Sequence, residues 1–142
     1  DPSTGMVIPS LIARIYRGED PLKVWGDGSP VRDFVHASDV ARAMMFVMKN
    51  GIDKPVNVSS GNPTSIRELV ELISRCFDNA RFEFNASGIS GDNKRLMDIT
   101  RLTNYGWEPK TSLQNGLKDT IEWFKSEGYK GYERYNSFKE EN

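Results

Sequence analysis

The chain alternates between stretches whose apolar residues recur every three or four positions and short stretches in which apolar and polar residues alternate. The first spacing is typical of helices that bury one face, and the second of half-buried strands. Together with turn and capping residues, the helical spacing predicts helices over residues 6–18, 38–49, 65–77 and 100–105, and a last helix after residue 112. Extended pieces are predicted over residues 23–25, 31–35, 55–59 and 81–84. Short strands between amphipathic helices predict the α/β fold class, as one small mixed domain.

The second helix carries a cluster of methionines. Ser38 or Asp39 is predicted to cap its start, because both side chains can accept hydrogen bonds from the exposed amides of a first turn. Met44, Met45 and Met48 follow, and the simplest interpretation makes them flexible core filler.

Composition narrows the possible partners. The chain has 142 residues and a formal net charge of −1, so it lacks a general electrostatic attraction to nucleic acid or to an anionic membrane, and we expect neither as a partner. No apolar run approaches the roughly 20 residues of a membrane span. Cys76 is the single cysteine, which excludes a disulfide within the chain and makes a cytoplasmic location the default expectation. Residues 1–127 are predicted to form the domain, and residues 128–142 a polar tail that frays.

Familiar catalytic patterns are absent from the sequence. There is no Cys-x-x-Cys, His-Glu-x-x-His, Gly-x-Ser-x-Gly or phosphate-binding P-loop pattern. His36 is the single histidine, and we interpret it as support for a strand end. Gly26-x-Gly28 leads into a predicted strand instead of a helix, so it indicates a turn and not a dinucleotide-binding loop. We therefore predict no catalytic residue and no metal ligand in this chain.

The remaining polar residues fit an anion-binding site better than any of these catalytic sites. Arg32 lies among apolar neighbours, where a guanidinium can hold phosphate oxygens in bidentate fashion, and Trp25 offers a flat face for a sugar or a base. The polar loop over residues 85–93 contains Asp92, which can bond hydroxyl groups, and Lys94 or Arg95 adds a second cation.

Residue types alone leave two alternatives open. Arg32 could instead form a salt bridge with Asp33 or Asp39, and Arg14 on the first helix could simply lie on a solvated face.

Several separate motifs then resemble one family. The segments, in chain order, are Val7-Ile-Pro-Ser-Leu-Ile12, Val24-Trp-Gly-Asp-Gly-Ser-Pro-Val-Arg-Asp-Phe-Val-His-Ala-Ser-Asp-Val-Ala41, Asn57-Val-Ser-Ser-Gly61, Arg95-Leu-Met-Asp98 and Tyr105-Gly-Trp107. They resemble the extended short-chain dehydrogenases/reductases that act on nucleotide sugars, the NAD(P)-dependent epimerases and dehydratases. The likeness runs along nearly the whole chain.

The resemblance implies a role for each candidate residue. The chain would correspond to the C-terminal substrate domain, which binds a nucleotide diphosphate sugar. Arg32 would hold the diphosphate, Trp25 would line the sugar and nucleotide pocket, and Arg14 would reach a phosphate from the first helix. The loop over residues 85–95, with Asp92 and Arg95, would close over the nucleotide.

The resemblance also implies a division of labour. The family's Rossmann half, with its Gly-rich cofactor loop and its Tyr-x-x-x-Lys catalytic pair, is not in these 142 residues. NAD or NADP would be bound mainly by that N-terminal half, and this chain alone would be inactive. The surface facing that half would be exposed here, which leaves room for a homo-oligomer. A non-catalytic nucleotide-sugar-binding module and an oligomerisation module are the alternative functions.

Overall fold

The computed structural model describes residues 6–85 and 92–127. The elements in chain order are α1 (Val7–Tyr16), β1 (Leu22–Trp25), β2 (Val31–Asp33), α2 (Ala37–Lys49), β3 (Pro63–Ser65), α3 (Ile66–Arg75), β4 (Phe82–Asn85), β5 (Lys94–Arg95), α4 (Thr100–Asn104) and α5 (Leu113–Glu127). These short strands and amphipathic helices confirm the predicted mixed α/β fold.

The described strands form two small sheets. In one sheet β1 pairs with β4 in parallel, and the register sets Trp25 opposite Asn85. In the other sheet β2 lies in the middle, antiparallel to β3 and parallel to β5. The turn over residues 26–30 joins the two sheets, because it connects the end of β1 to the start of β2.

One hydrophobic cluster forms the main core. Its buried residues come from α1, β1, α3 and α5, where the predicted apolar faces meet: Leu11, Ile12, Leu22, Val24, Leu69, Val70, Ile73, Leu117 and Ile121. A smaller cluster joins α2, α4 and the segment before α5 through Ala43, Leu102 and Trp107. Removing this much apolar surface from water is the main stabilising contribution to such a domain.

Helix α2 begins earlier than the sequence predicts. Its N-cap is His36, whose Nδ1 accepts a hydrogen bond from the Ser38 amide at 3.4 Å and lies 2.7 Å from the Ser38 hydroxyl. Ser38 and Asp39 therefore lie inside the first turn, and their prediction as cap residues was wrong. Asp39 turns inward and is fully buried.

The methionines of α2 lie outside the core, so their interpretation as core filler was wrong. Met44, Met45 and Met48 are 63%, 67% and 76% exposed. The inward face of the helix carries Ala43, with Phe46 and Val47 packed against the smaller cluster. The methionines occupy a different side, and within the described residues no element covers them.

Residues 55–59, predicted as a strand, do not pair with another strand in the described part of the chain. Val56 and Val58 do turn inward against the smaller cluster, as an alternating pattern requires. The Pro55 carbonyl accepts a hydrogen bond from Arg101, and the Asn57 side chain donates to the Asp98 carbonyl. The alternation was therefore read correctly, but a strand also needs a neighbour, which the pattern cannot supply.

Candidate functional site

Three of the predicted site residues, Arg32, Asp92 and Arg95, meet where β2 pairs with β5. Arg32 and Arg95 are register partners in neighbouring parallel strands, so their side chains leave the sheet on the same face. Arg32 Nη1 donates to the Asp92 carbonyl oxygen and to the Val31 carbonyl oxygen, both at 2.8 Å. Arg95 Nη2 donates to the Asp92 carboxylate at 2.5 Å. Asp92 thus links the two guanidinium groups, one through its backbone and one through its side chain.

Arg32 does not form either of the salt bridges that the residue types allow. The Asp33 carboxylate instead accepts hydrogen bonds from the Ser60 hydroxyl at 2.5 Å and the Ser60 amide at 3.1 Å. The Asp39 carboxylate is bound to Arg42 and to backbone amides. Arg32 is half-buried, and no carboxylate oxygen of the described residues pairs with it. The prediction of a salt bridge from Arg32 to Asp33 or Asp39 was therefore wrong, and the bonds that Arg32 does make go to backbone carbonyls.

Trp25 lies at the end of β1 and is 82% exposed. Its neighbour Val24 points into the core and is 5% exposed, as the alternation of a strand requires. An indole this exposed is free to stack on a planar or apolar face of a ligand.

Arg14 makes structural contacts instead of lying unpaired on a solvated face. Its Nε and Nη2 donate to the two Glu19 carboxylate oxygens at 2.7 and 2.5 Å, and Nη2 also donates to the Lys23 carbonyl at 2.5 Å. The hydrogen bond from Arg14 lowers the pKa of the Glu19 carboxyl, against the raising effect of partial burial. These bonds tie the end of α1 to β1, and a phosphate contact for Arg14 stays a prediction.

The turn between Trp25 and Arg32 packs closely against β4. Gly26 and Gly28 have φ angles of +79° and +80°, which side-chain-bearing residues rarely adopt. A Cβ atom on Gly28 would lie 2.7 Å from Phe84 Cε1, so only glycine fits there. The turn then continues into β2 and not into a helix, and the space above Gly28 is filled by Phe84. These two glycines therefore do not form a cradle for a dinucleotide cofactor, in agreement with the sequence-based interpretation.

Sequence reasoning missed one residue that touches this turn. Arg67, in the first turn of α3, donates from Nη2 to the Asp27 carbonyl at 2.6 Å. Its guanidinium carbon lies 4.3 Å from the centre of the Phe84 ring. The pattern Ser65-x-x-Glu68 does indicate a helix start here, and the structure contains that capping box. Nothing in the sequence indicates that this helix start meets a turn 40 residues earlier.

Neither of two cavities in the described structure includes a predicted site residue. A cavity of about 180 Å³ lies at the starts of α1, α2 and α5, lined by Ile8, Phe34, Val35, His36, Ala37, Thr111, Ser112, Leu113, Gly116, Leu117 and Thr120. A more open one of about 360 Å³ is lined by Pro63, Thr64, Glu68, Glu71, Leu72, Arg75 and Leu113. Most of the loop over residues 85–93, which is predicted to close over a nucleotide, lies outside the residues that the structure describes.

The described residues contain no group of His, Cys, Asp and Glu side chains placed to hold a metal ion. None of the described helices is both long enough and apolar enough to cross a membrane.

Comparison with known proteins shows which family and which relatives the chain is similar to. The NAD dependent epimerase/dehydratase family matches residues 1–59. GDP-L-fucose synthase 1 from Arabidopsis thaliana is 35% identical over 130 residues, which are 87% of this chain and 40% of that protein. GDP-L-fucose synthase from Escherichia coli is 34% identical over 138 residues, with 87% and 43% covered. The chain thus spans about two fifths of the length of the curated relatives it matches.

Solved structures share the fold. UDP-glucose 4-epimerase with UDP-glucose from Thermotoga maritima has a TM-score of 0.71 and 31% identity, with 89% of this chain and 42% of that chain covered. A GDP-L-fucose synthetase from Naegleria fowleri bound to NADP has a TM-score of 0.79 at 23% identity, with 89% and 42% covered. A dTDP-glucose 4,6-dehydratase from Bacillus anthracis in complex with NAD has a TM-score of 0.74 at 26% identity, with 85% and 39% covered.

These findings confirm the family resemblance. Residues 1–59 match the model of the NAD dependent epimerase/dehydratase family, and over most of its own length the chain is similar in sequence and fold to about two fifths of extended short-chain dehydrogenases/reductases. Within that family of nucleotide-sugar enzymes, GDP-L-fucose synthases are among its most similar relatives.

Proposed function

We propose that this chain is the C-terminal substrate-binding portion of a nucleotide-sugar epimerase, dehydratase or reductase, most like GDP-L-fucose synthase, and that Arg32 holds the diphosphate. The observation that carries the proposal is the position of Arg32. It is half-buried beside a second arginine, and neither Asp33 nor Asp39 neutralises it.

The chemistry of this group suits a diphosphate. A guanidinium can donate two parallel hydrogen bonds to phosphate oxygens, and these charge-assisted bonds are stronger than neutral ones. Asp92 holds Arg95 in an ion pair in which both side chains are more than half exposed, at 73% and 62%. Such an exposed pair is weak, so a diphosphate can compete for Arg95. Trp25 would then cover a ring of the ligand, and Arg14 would add a phosphate contact from α1.

Catalysis would require a further part of the protein. In the proposal an N-terminal Rossmann domain binds NAD or NADP and holds the catalytic residues, and this chain binds and orients the nucleotide sugar. The exposed methionines of α2 support a partner surface on that face of the helix. We expect the whole protein to work in the cytoplasm, since Cys76 has no second cysteine in the chain to pair with.

The alternative is a non-catalytic module that binds a nucleotide sugar or serves oligomerisation. The exposed Met44, Met45 and Met48 support oligomerisation as well as they support a contact with another domain, because two copies of the chain could pack these methionines against each other.

Titration calorimetry on the purified chain tests the proposal. We expect weak binding of GDP-fucose or UDP-glucose, no binding of NADPH, and no turnover when sugar nucleotide and cofactor are mixed with the chain. The binding is weak because part of the pocket wall would come from the other domain. Turnover by the chain alone would contradict the assignment of catalysis to another part, and absence of any nucleotide-sugar binding would contradict the substrate role.

A further inference from the structure

Helix α3 contacts the Trp25–Arg32 turn at three carbonyl groups. The Ile66 amide donates to the Pro30 carbonyl at 2.9 Å, and the Arg67 amide donates to the Gly28 carbonyl at 2.9 Å. The Arg67 side chain adds the bond to the Asp27 carbonyl at 2.6 Å. The first amides of a helix have no partner inside the helix, so they are available for this role. The capping box of Ser65 and Glu68 fixes the same helix start from the other side.

Phe84 gives the Arg67 side chain a second anchor. The guanidinium carbon lies 4.3 Å from the centre of the Phe84 ring, a distance at which a cation is attracted to an aromatic face. The same ring fills the space above Gly28, and the Arg67 Cβ lies 3.1 Å from where a Cβ on Gly28 would be. Arg67 therefore holds the turn against β4 through one hydrogen bond and one ring contact.

The two ends of this turn carry the candidate ligand residues. Trp25 immediately precedes it and Arg32 follows two residues after it. Any opening of the turn changes the separation of the indole from the guanidinium. We infer that Arg67 is a positioning residue for nucleotide-sugar binding, which sets the spacing of Trp25 and Arg32 without contacting the ligand itself. This inference rests on the proposed function.

Hydrogen exchange and calorimetry test it together. Arg67→Met keeps the length of the side chain but removes its donors and its charge. Arg67→Lys keeps the charge and a donor and serves as the conservative variant. Arg75→Met is the matched control, since Arg75 is an exposed arginine in the last turn of the same helix. The free energy of unfolding is measured for all three variants, so that local opening is separated from global destabilisation.

In Arg67→Met we expect the amide hydrogens of residues 26–29 and of Val31 to exchange several times faster, while those of α5 keep their rates. The Kd for GDP-fucose or UDP-glucose should rise about fivefold to tenfold, as expected for the loss of one charge-assisted hydrogen bond and an exposed cation–π contact. Arg67→Lys should keep exchange rates and a Kd close to those of the wild type. Arg75→Met should show neither the faster exchange nor the raised Kd.

If the amide exchange rates of the turn are unchanged in Arg67→Met, the inference is overturned, whatever the Kd for the nucleotide sugar. Faster exchange with an unchanged Kd would show that the turn's order does not matter for binding, and would overturn the positioning role. If the wild-type chain binds neither nucleotide sugar, the proposed function fails and the ligand half of this inference fails with it. The exchange rates still decide whether Arg67 orders the turn.

Discussion

Asp39 connects α2 to the segment that precedes α5 through one buried carboxylate. It is fully buried in the first turn of α2, where Arg42 donates to it. It also accepts the amides of Lys110 and Thr111 at 3.1 and 2.9 Å. Burial alone would raise the pKa of this carboxyl, but the hydrogen bonds from Arg42, Thr111 and Lys110 outweigh it and hold the pKa below the usual value. A buried charge satisfied in this way fixes the start of α2 against the segment that precedes α5.

Asp39→Asn should lower the free energy of unfolding at neutral pH by about 1–3 kcal/mol, because the bond to Arg42 loses its charge. A carboxyl whose pKa is lowered by folding stabilises the protein above its unfolded pKa of about 3.9, and that contribution is lost as the pH falls through the folded pKa. Denaturant unfolding from pH 7 down into this acid range should therefore show a smaller loss of stability in Asp39→Asn than in the wild type.

Asp53→Asn, at an exposed position in the loop after α2, serves as the control for the removal of one carboxylate and should not reproduce the effect of Asp39→Asn. If Asp39→Asn lost stability with falling pH as steeply as the wild type, Asp39 would not be a source of the acid sensitivity.

At this scale the sequence indicates residue types but not their partners. The local sequence places Arg32 and Trp25 at the two ends of one turn, and the structure does the same. The contacts Arg32–Asp92, Asp39–Thr111 and Arg67–Asp27 span 60, 72 and 40 positions. Such partners are set by the tertiary fold, and no local spacing encodes them.

Among the elements, α2 shows most clearly where sequence reasoning succeeds and where it stops. Its helical period is correct, and so is its end near Lys49. The error concerns which apolar face is buried, because α2 has apolar residues on two sides and only Ala43 and its neighbours meet the smaller cluster. Periodicity identifies apolar faces, whereas burial depends on what the fold places opposite them.

The turn over residues 26–30 and the segment over residues 55–59 show the same contrast between a feature that the local sequence encodes and one that depends on a distant partner. The turn is encoded locally, since its glycines adopt φ angles that other residues disfavour, and it was predicted correctly. A strand requires a partner at about 4.8 Å, and the described chain offers none for residues 55–59.

In the whole molecule the methionine face, defined by Met44, Met45 and Met48, is a concentrated area of exposed apolar surface on α2. Contiguous apolar surface of this kind commonly marks an interface. In the proposed function it faces the NAD(P)-binding domain. In a sample of this chain alone, we expect the face to be shared between copies.

Sedimentation equilibrium should therefore show concentration-dependent association of the purified chain, which Met44→Glu together with Met48→Glu should abolish. Both side chains are exposed, so the free energy of unfolding should change by less than about 0.5 kcal/mol per substitution. Met97→Glu is the control, since Met97 is 55% exposed but lies outside α2, and it should leave association intact. A wild-type chain that stays monomeric, or a double variant that still associates, would contradict this role for the face.

The central claim is that Arg32 anchors the diphosphate of a nucleotide sugar. Its direct test is the Kd of the chain for GDP-fucose and UDP-glucose, measured by calorimetry for the wild type, Arg32→Ala and Lys94→Ala. Lys94 is the control because it precedes Arg95 on β5, so strand alternation turns its side chain to the opposite face. Arg32→Ala should weaken binding about tenfold or more, as expected for a charge-assisted contact to phosphate, and Lys94→Ala should leave the Kd near the wild-type value. Equal affinity of Arg32→Ala and the wild type would contradict the claim.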